Sequence, residues 1–212
     1  MKTSDLIAAL AADAQKPSTS LGARVAIAMG AGALVSLALL VATFGFRPDI
    51  SGAAQTLRFD FKFVVTLAFL LPSALLCLRL SRPEAGPASL LFWLAIPLVL
   101  LLGAVVVELS VVPRELWETR LFGTNWRHCL ATIPLLAIAP LGALIAALRE
   151  GAPRYPTLTG ALAGAAAAGI AATIYASSCP DDSPLFVASW YPIATVIVVA
   201  AGALAGRRFL QW

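Results

Sequence analysis

The chain has 212 residues, of which 60% are hydrophobic and 12% charged, with a formal charge of +4 at neutral pH. Soluble domains carry roughly 25% charged residues, so a soluble protein with a solvated surface is excluded, and no stretch is left over for a second globular domain. The small positive excess is a matter of membrane topology rather than of nucleic-acid binding.

The first twenty residues are polar and alanine-rich and do not read as a cleavable signal, because the apolar run behind them is too long for a signal-peptide core. Thr3 suits an N-cap, and Asp5 falls in the first turn, where the helix dipole favours an acid. Leu6, Ile7, Leu10 and Ala14 then share one helical face, Asp5, Ala9 and Asp13 lie on another, and Pro17 ends the segment. A helix this short is marginal alone in water, so its apolar stripe needs a partner. Helices that lie on membranes are normally basic, whereas this one carries Asp5 and Asp13; a protein groove fits it better.

Six apolar stretches follow, at 22–44, 61–80, 88–107, 129–148, 157–176 and 186–206. Each is about the twenty residues a helix needs to cross the hydrocarbon core. Runs this long without alternation form helices in lipid, where every backbone polar group must be satisfied internally. The expected fold is all-α: a cytoplasmic tail over 1–20 and a bundle of six transmembrane helices over 21–212.

If the spans alternate, the side with both termini holds nine cations (Lys2, Lys16, Arg24, Arg79, Arg82, Arg149, Arg154, Arg207 and Arg208) and four acids. The other side holds six cations, among them Arg47, Arg58 and Lys62, and seven acids. The positive-inside rule then puts both termini in the cytoplasm. The tryptophans and Tyr175 and Tyr191 near span ends read as an interfacial belt with no functional meaning. On the outer side, 45–60 and 108–128 are long enough for short surface helices, and 177–185 is a tight proline-rich crossing. The inner loops 81–87 and 149–156 are short, so helices 2 and 3, and helices 4 and 5, should be antiparallel neighbours.

Gly-Ala-Leu-Ala-Gly occurs twice, at 160–164 and 202–206. Small residues four apart let helix backbones approach closely in lipid, so helices 5 and 6 could meet through Gly160, Gly164, Gly202 and Gly206. The small residues after Gly164 make helix 5 a central element. Pro72, Pro97, Pro134, Pro140 and Pro192 fall within spans and kink them.

The spans are almost bare of the ionisable groups that transporters place at mid-membrane depth; Arg79 and Glu108 lie at span ends, within reach of water. His128 is the only histidine, and no HExxH, GxSxG or phosphate-binding glycine loop occurs. Neither a nucleophile with its base nor a catalytic metal site is present, and the chain does not read as an enzyme.

The cysteines carry the remaining chemistry. Cys77, near the inner end of helix 2, reads as a small core residue. Cys129 opens helix 4 and Cys179 lies just past the outer end of helix 5. Helices 4 and 5 share one short inner loop and have similar lengths, so at about 1.5 Å per residue the two cysteines reach similar depth on the same outer face. Three readings stay open: a redox pair able to form a disulfide, a transient soft-metal site with His128, Asp181 or Asp182 as further ligands, or two unrelated thiols. No permanent cofactor is expected.

The opening Met-Lys-Thr-Ser-Asp-Leu-Ile-Ala-Ala-Leu-Ala-Ala-Asp, the six spans, Cys129 after Trp126, and Cys179-Pro180-Asp181-Asp182-Ser183-Pro184 running on to Phe186 and Trp190-Tyr191 together resemble the NrsF family of bacterial inner-membrane anti-sigma factors. The resemblance covers the whole chain, and its specific parts are the N-terminal segment and the two cysteine motifs. It departs from the family at Ser4, where an acid is usual. It implies a partner, an extracytoplasmic-function sigma factor of the SigF type, with Asp5, Leu6, Ile7, Leu10 and Asp13 in the binding segment. It also implies periplasmic sensing of metal or oxidative stress at Cys129 and Cys179. A change at the pair would then shift helix 4 against helix 5 and reach the tail through the glycine contacts. Two other classes compete: a structural or assembly protein of the membrane with a static disulfide, and a small-solute transporter.

Overall fold

The computed structural model describes residues 3–5, 7, 19–83 and 91–211. Six of its helices are long and apolar enough to cross a membrane. They are α1 (Leu21–Thr43), α2 (Leu57–Leu80), α3 (Ala95–Val111), α4 (Trp126–Leu148), α5 (Pro156–Ala176) and α6 (Pro184–Phe209). Among the described residues there is no strand, and the architecture is all-α.

Local chemistry sets the ends of these helices. The Ser20 hydroxyl accepts from the Ala23 amide and caps α1. Gly45, at a φ of 69°, ends it, donating to the Leu40 carbonyl. Pro156 and Pro184 open α5 and α6, at first-turn positions where the missing N–H costs nothing. The expected surface helices are present as Ile50–Ala53 and Trp117–Phe122.

Two boundaries differ from the sequence reading. A turn of 3-10 helix, Leu91–Leu94, leads into α3, which runs to Val111. More consequentially, α2 starts a turn earlier than hydropathy suggests, so Arg58 and Asp60 stand on the helix with Lys62 and not in a loop.

The helix α5 is the centre of the bundle. It packs most extensively on α6 and α2, then on α4 and α1. Its Ala163 and Ala165–Ala168 are all buried, and alanine is small enough to let four neighbours approach. Against α6 the contact is backbone to backbone. A methyl at Gly164 would stand 2.6 Å from the Val198 carbonyl oxygen, and one at Gly202 would stand 2.8 Å from the Gly164 Cα. Gly160 faces Gly202 and Gly206 in the same way. Gly169 gives α2 its approach, with Leu70 Cα 2.9 Å from where a methyl would lie. The peripheral member is α3, which touches only α2 and α6 among the long helices to any extent.

The helices alternate, so the bundle has two ends. At the near end, where α1 begins and α6 ends, Leu21, Ser81 and Gly151 converge, and Gly206 meets Pro156. The far end carries Cys129, Cys179 and most of the buried charge.

Candidate functional site

The short connection between α4 and α5 at the near end makes them antiparallel neighbours, and this brings the start of α4 beside the end of α5 at the far end. Cys129 lies in the first turn of α4 and Cys179 three residues beyond α5. They are 0% and 1% exposed, and both are free thiols. They share one apolar cluster with Tyr175, Phe186 and Tyr191. Cys179 and Asp181 are both part of the electrostatic surroundings of Cys129. The rings of Tyr175 and Tyr191 stand 6.1 Å apart. The Tyr191 hydroxyl is buried and has no hydrogen-bond partner among the described residues. These tyrosines therefore belong to the core, not to an interfacial belt.

Above the thiols sits a network of charges. Lys62 is completely buried, yet its Nζ lies 2.5 Å from Asp182 Oδ1 and donates to the Cys179 carbonyl at 2.9 Å. Arg47 Nη1 donates to both Asp182 oxygens, at 2.9 and 2.8 Å, and to the same Cys179 carbonyl at 3.3 Å. Its Nε and Nη2 fork onto Asp49, each at 2.8 Å. Both cations lie over the Phe59 ring, Arg47 at 5.6 Å and Lys62 at 5.3 Å. A buried charge persists only when paired and hydrogen-bonded, and these two share one carboxylate and one carbonyl.

The electrostatics follow from this geometry. Hydrogen-bonded Asp49 holds the Arg47 guanidinium above its ordinary value; burial opposes the effect and Asp182 adds to it. In return, Arg47 holds the Asp49 carboxyl below the usual carboxylate range. Burial pushes the Cys179 thiol up, and the Lys62 ammonium works against it.

Asp181 has a different task. Its carboxylate accepts from the backbone amides of Thr124 and Asn125, at 3.1 and 2.9 Å, where α4 begins. His128 is exposed and meets the edge of Phe44, with ring centroids 6.4 Å apart. The set His128, Cys129, Cys179, Asp181 and Asp182 is thus not assembled as a metal site: Asp182 is committed to two cations, Asp181 to backbone amides, and His128 faces away. No group of three or more such donors occurs among the described residues.

Glu108 also corrects the sequence reading. It does not reach water but is 4% exposed, held by Arg58 at 2.7 Å and Arg120 at 2.8 Å, with the Ser183 hydroxyl at 3.3 Å. It ties α3, α2 and the Trp117–Phe122 helix to the start of α6. Trp190 adds a second tie by donating to the Leu121 carbonyl at 2.8 Å.

Cys77 is buried in α2, with its sulfur 3.8 Å from the Thr159 carbonyl. In the tail, Thr3–Asp5 and Ile7 are helical, and Asp5 and Ile7 are exposed. Leu6, Leu10 and Asp13 lie outside the described residues. Sequence reasoning missed Arg47, Lys62 and Glu108 as structural groups. A signal for Lys62 was present, because it follows Phe59 by three residues and so shares its helical face.

Comparison with known proteins places this arrangement. The family model NrsF, described as negative regulator of sigma F, matches residues 10–212. The "probable anti-sigma-F factor NrsF" of Azospira oryzae is 32% identical over 216 residues, covering 100% of both chains. The "anti-sigma-F factor NrsF" of Caulobacter vibrioides is 32% identical over 223 residues, again covering 100% of both. No solved structure matches the chain.

Proposed function

The chain belongs to the NrsF family, and from that premise we propose that it is a membrane-bound anti-sigma factor: it holds an extracytoplasmic-function sigma factor inactive through its N-terminal segment and releases it when the thiol cluster is perturbed. The observation that carries the reading is the match along its entire length to two anti-sigma-F factors. The six spans leave the tail as the longest stretch outside the bundle at the near end, and its leucines and aspartates suit a sigma factor's apolar grooves and cationic patches. Asp5, Leu6, Ile7, Leu10 and Asp13 form that surface. The site of the bundle is the bacterial inner membrane, with both termini in the cytoplasm and the far end in the periplasm.

Cys129 and Cys179 are the sensor in this reading. They lie in one buried cluster at the periplasmic end, where oxidants and soft metals arrive, and either a disulfide or a shared metal would alter the packing of α4 against α5. The test has two arms. Affinity purification of the full chain from membranes should bring a sigma factor with it, and a chain lacking the first 20 residues should not. Cys129→Ser and Cys179→Ser, singly or together, should change induction by thiol-reactive metals or oxidants, and Cys77→Ser should not. A double serine variant that answers every inducer like the wild type removes the thiols from the mechanism.

A further inference from the structure

The outer thiols and the tail are a full membrane thickness apart, about 30 Å. The helix that carries the tail is α1, and its neighbours are unequal. It packs along α4 over its length, touches α5 much less, and barely meets α2. Its buried residues Val25, Ala28, Gly32, Ser36 and Leu40 form one stripe.

Three contacts fix the pair. At the far end Phe44, the residue that caps α1, meets His128, the neighbour of Cys129. At the near end Arg24 pairs with Glu150, just past α4, and Arg24 Nε also donates to the Thr19 hydroxyl at 3.0 Å, at the root of the tail. Midway, Gly32 stands directly against Pro140, with no room for a side chain.

The midway contact has a specific chemistry. Pro140 has no N–H, so the carbonyl four residues earlier, that of Leu136, loses its helical donor. In lipid an unsatisfied carbonyl is costly, because no water can replace the lost partner. Here the Ser36 hydroxyl of α1 lies 2.6 Å from the Leu136 oxygen and 2.9 Å from the Gly32 carbonyl of its own helix, and the shorter contact directs its single proton across to Leu136. Ser36 is 1% exposed, so this is a buried cross-helix bond. Pro72, Pro134 and Pro192 also sit inside helices, yet among the described residues only the carbonyl freed by Pro140 takes a side-chain donor from another helix.

We propose that α1 and α4 form a single lever, pinned at mid-membrane by the Ser36 hydroxyl on the carbonyl that Pro140 sets free, and that this lever carries the state of the thiol cluster to the tail. The inference deepens the sensing reading and rests on it. It routes the signal through α1, whereas the glycine contacts of α5 and α6 serve as the fixed frame. The bistable element that such coupling needs is the proline joint of α4, whose freed carbonyl loses the Ser36 donor when α1 undocks.

The experiment uses the full chain with its sigma factor and a sigma-dependent reporter. Ser36→Val removes the donor, Ser36→Thr adds nearly the same bulk but keeps it, and Pro140→Ala gives the Leu136 carbonyl an internal donor. Ser36→Val and Pro140→Ala should each cut the ratio of induced to uninduced expression at least five-fold, at unchanged membrane abundance. Ser36→Thr should stay within two-fold of the wild type. Ser36→Val should lower thermal stability in detergent, and that loss should be smaller in the Pro140→Ala background, where the carbonyl no longer depends on α1. Should Ser36→Val fail to accumulate, Pro140→Ala still decides, since it adds a hydrogen bond. Wild-type induction in Pro140→Ala overturns the lever. If the cysteine variants lose the response while both lever variants keep it, the lever falls and the sensor stands; if the cysteine variants also respond normally, the sensing reading itself has failed.

Discussion

Removing the carboxylate of Asp182 is the most severe conservative change the far end offers. Asp182 is the shared partner of two cations, Lys62 at 0% and Arg47 at 7% side-chain exposure, and the other acid of the network, Asp49, is 65% exposed. Asp182→Asn leaves the buried Lys62 ammonium with no negative partner, only the neutral amide oxygen of the new side chain and the Cys179 carbonyl. Breaking a buried pair by removing one partner costs about 3–5 kcal/mol, because a charge is left uncompensated. Lys62→Met is the contrasting change. It deletes the buried charge at similar volume, and Asp182 and the Cys179 carbonyl keep Arg47 as donor; two contacts are lost but so is the cost of burying an ammonium, leaving a net loss of about 1 kcal/mol. At roughly 2–4 °C per kcal/mol for a chain of this size, Asp182→Asn should lower the midpoint of thermal unfolding in detergent by about 6–20 °C, and Lys62→Met by about 2–4 °C. The double variant should be more stable than Asp182→Asn alone. Fluorescence-detected size-exclusion after a temperature series reads all three. If Asp182→Asn proves as mild as Lys62→Met, Lys62 is not a buried ammonium dependent on Asp182, and the account of the network is wrong.

Gly164→Leu and Gly202→Leu should each destabilise the bundle by overpacking, by about 1–3 kcal/mol or more, and wild-type melting of both would refute the backbone contact of α5 with α6. A reporter fused after Trp212 should behave as cytoplasmic, and one inserted between Pro113 and Glu118 as periplasmic; a periplasmic C-terminus would reverse the orientation. Replacing Leu6 and Leu10 together by aspartate should raise sigma-dependent transcription without lowering the amount of this protein in the membrane. Each buried leucine is worth about 1.5–3 kcal/mol, so unchanged retention of the sigma factor in that variant takes the tail out of the mechanism.

The six spans were legible because lipid demands length and hydropathy, and both are read directly from composition. The central place of α5 was legible too, since a run such as Ala165–Ala168 has no bulk to present to lipid. The charge network was not. Lys62, Asp60 and Arg58 sit at the edge of an apolar run, where a charge ordinarily marks the end of a span. Here the helix goes on beneath them, because Lys62 and Arg58 find partners on distant segments, Asp182 from the loop before α6 and Glu108 from α3. Pairings separated in sequence by 120 and 50 residues leave no local pattern. The same holds for Ser36 and Leu136: a serine in a span is unremarkable until Pro140 is seen to free the carbonyl opposite it. Depth placed the two cysteines on one face, but depth cannot say that they are sealed, since that depends on what the loops 44–49 and 177–183 lay over them.

Sealing changes what the thiols can be. A sulfur that is 0–1% exposed does not meet an oxidant or a metal ion in the resting structure, and burial pushes the Cys179 thiol up, away from the reactive thiolate. Any reaction at the pair would therefore require the far end to open, and the ion pairs above the thiols oppose that opening. Each 1.4 kcal/mol removed from the closed state is a tenfold gain in the open one. The loss of about 3–5 kcal/mol expected for Asp182→Asn would raise the open population by a factor on the order of a hundred to a few thousand. In an anti-sigma factor whose sensor is this pair, such a variant has a hair trigger: it responds to far lower doses of inducer, where Lys62→Met shifts the dose only several-fold. If the thiols sense as proposed, the network of Arg47, Lys62 and Asp182 sets their threshold.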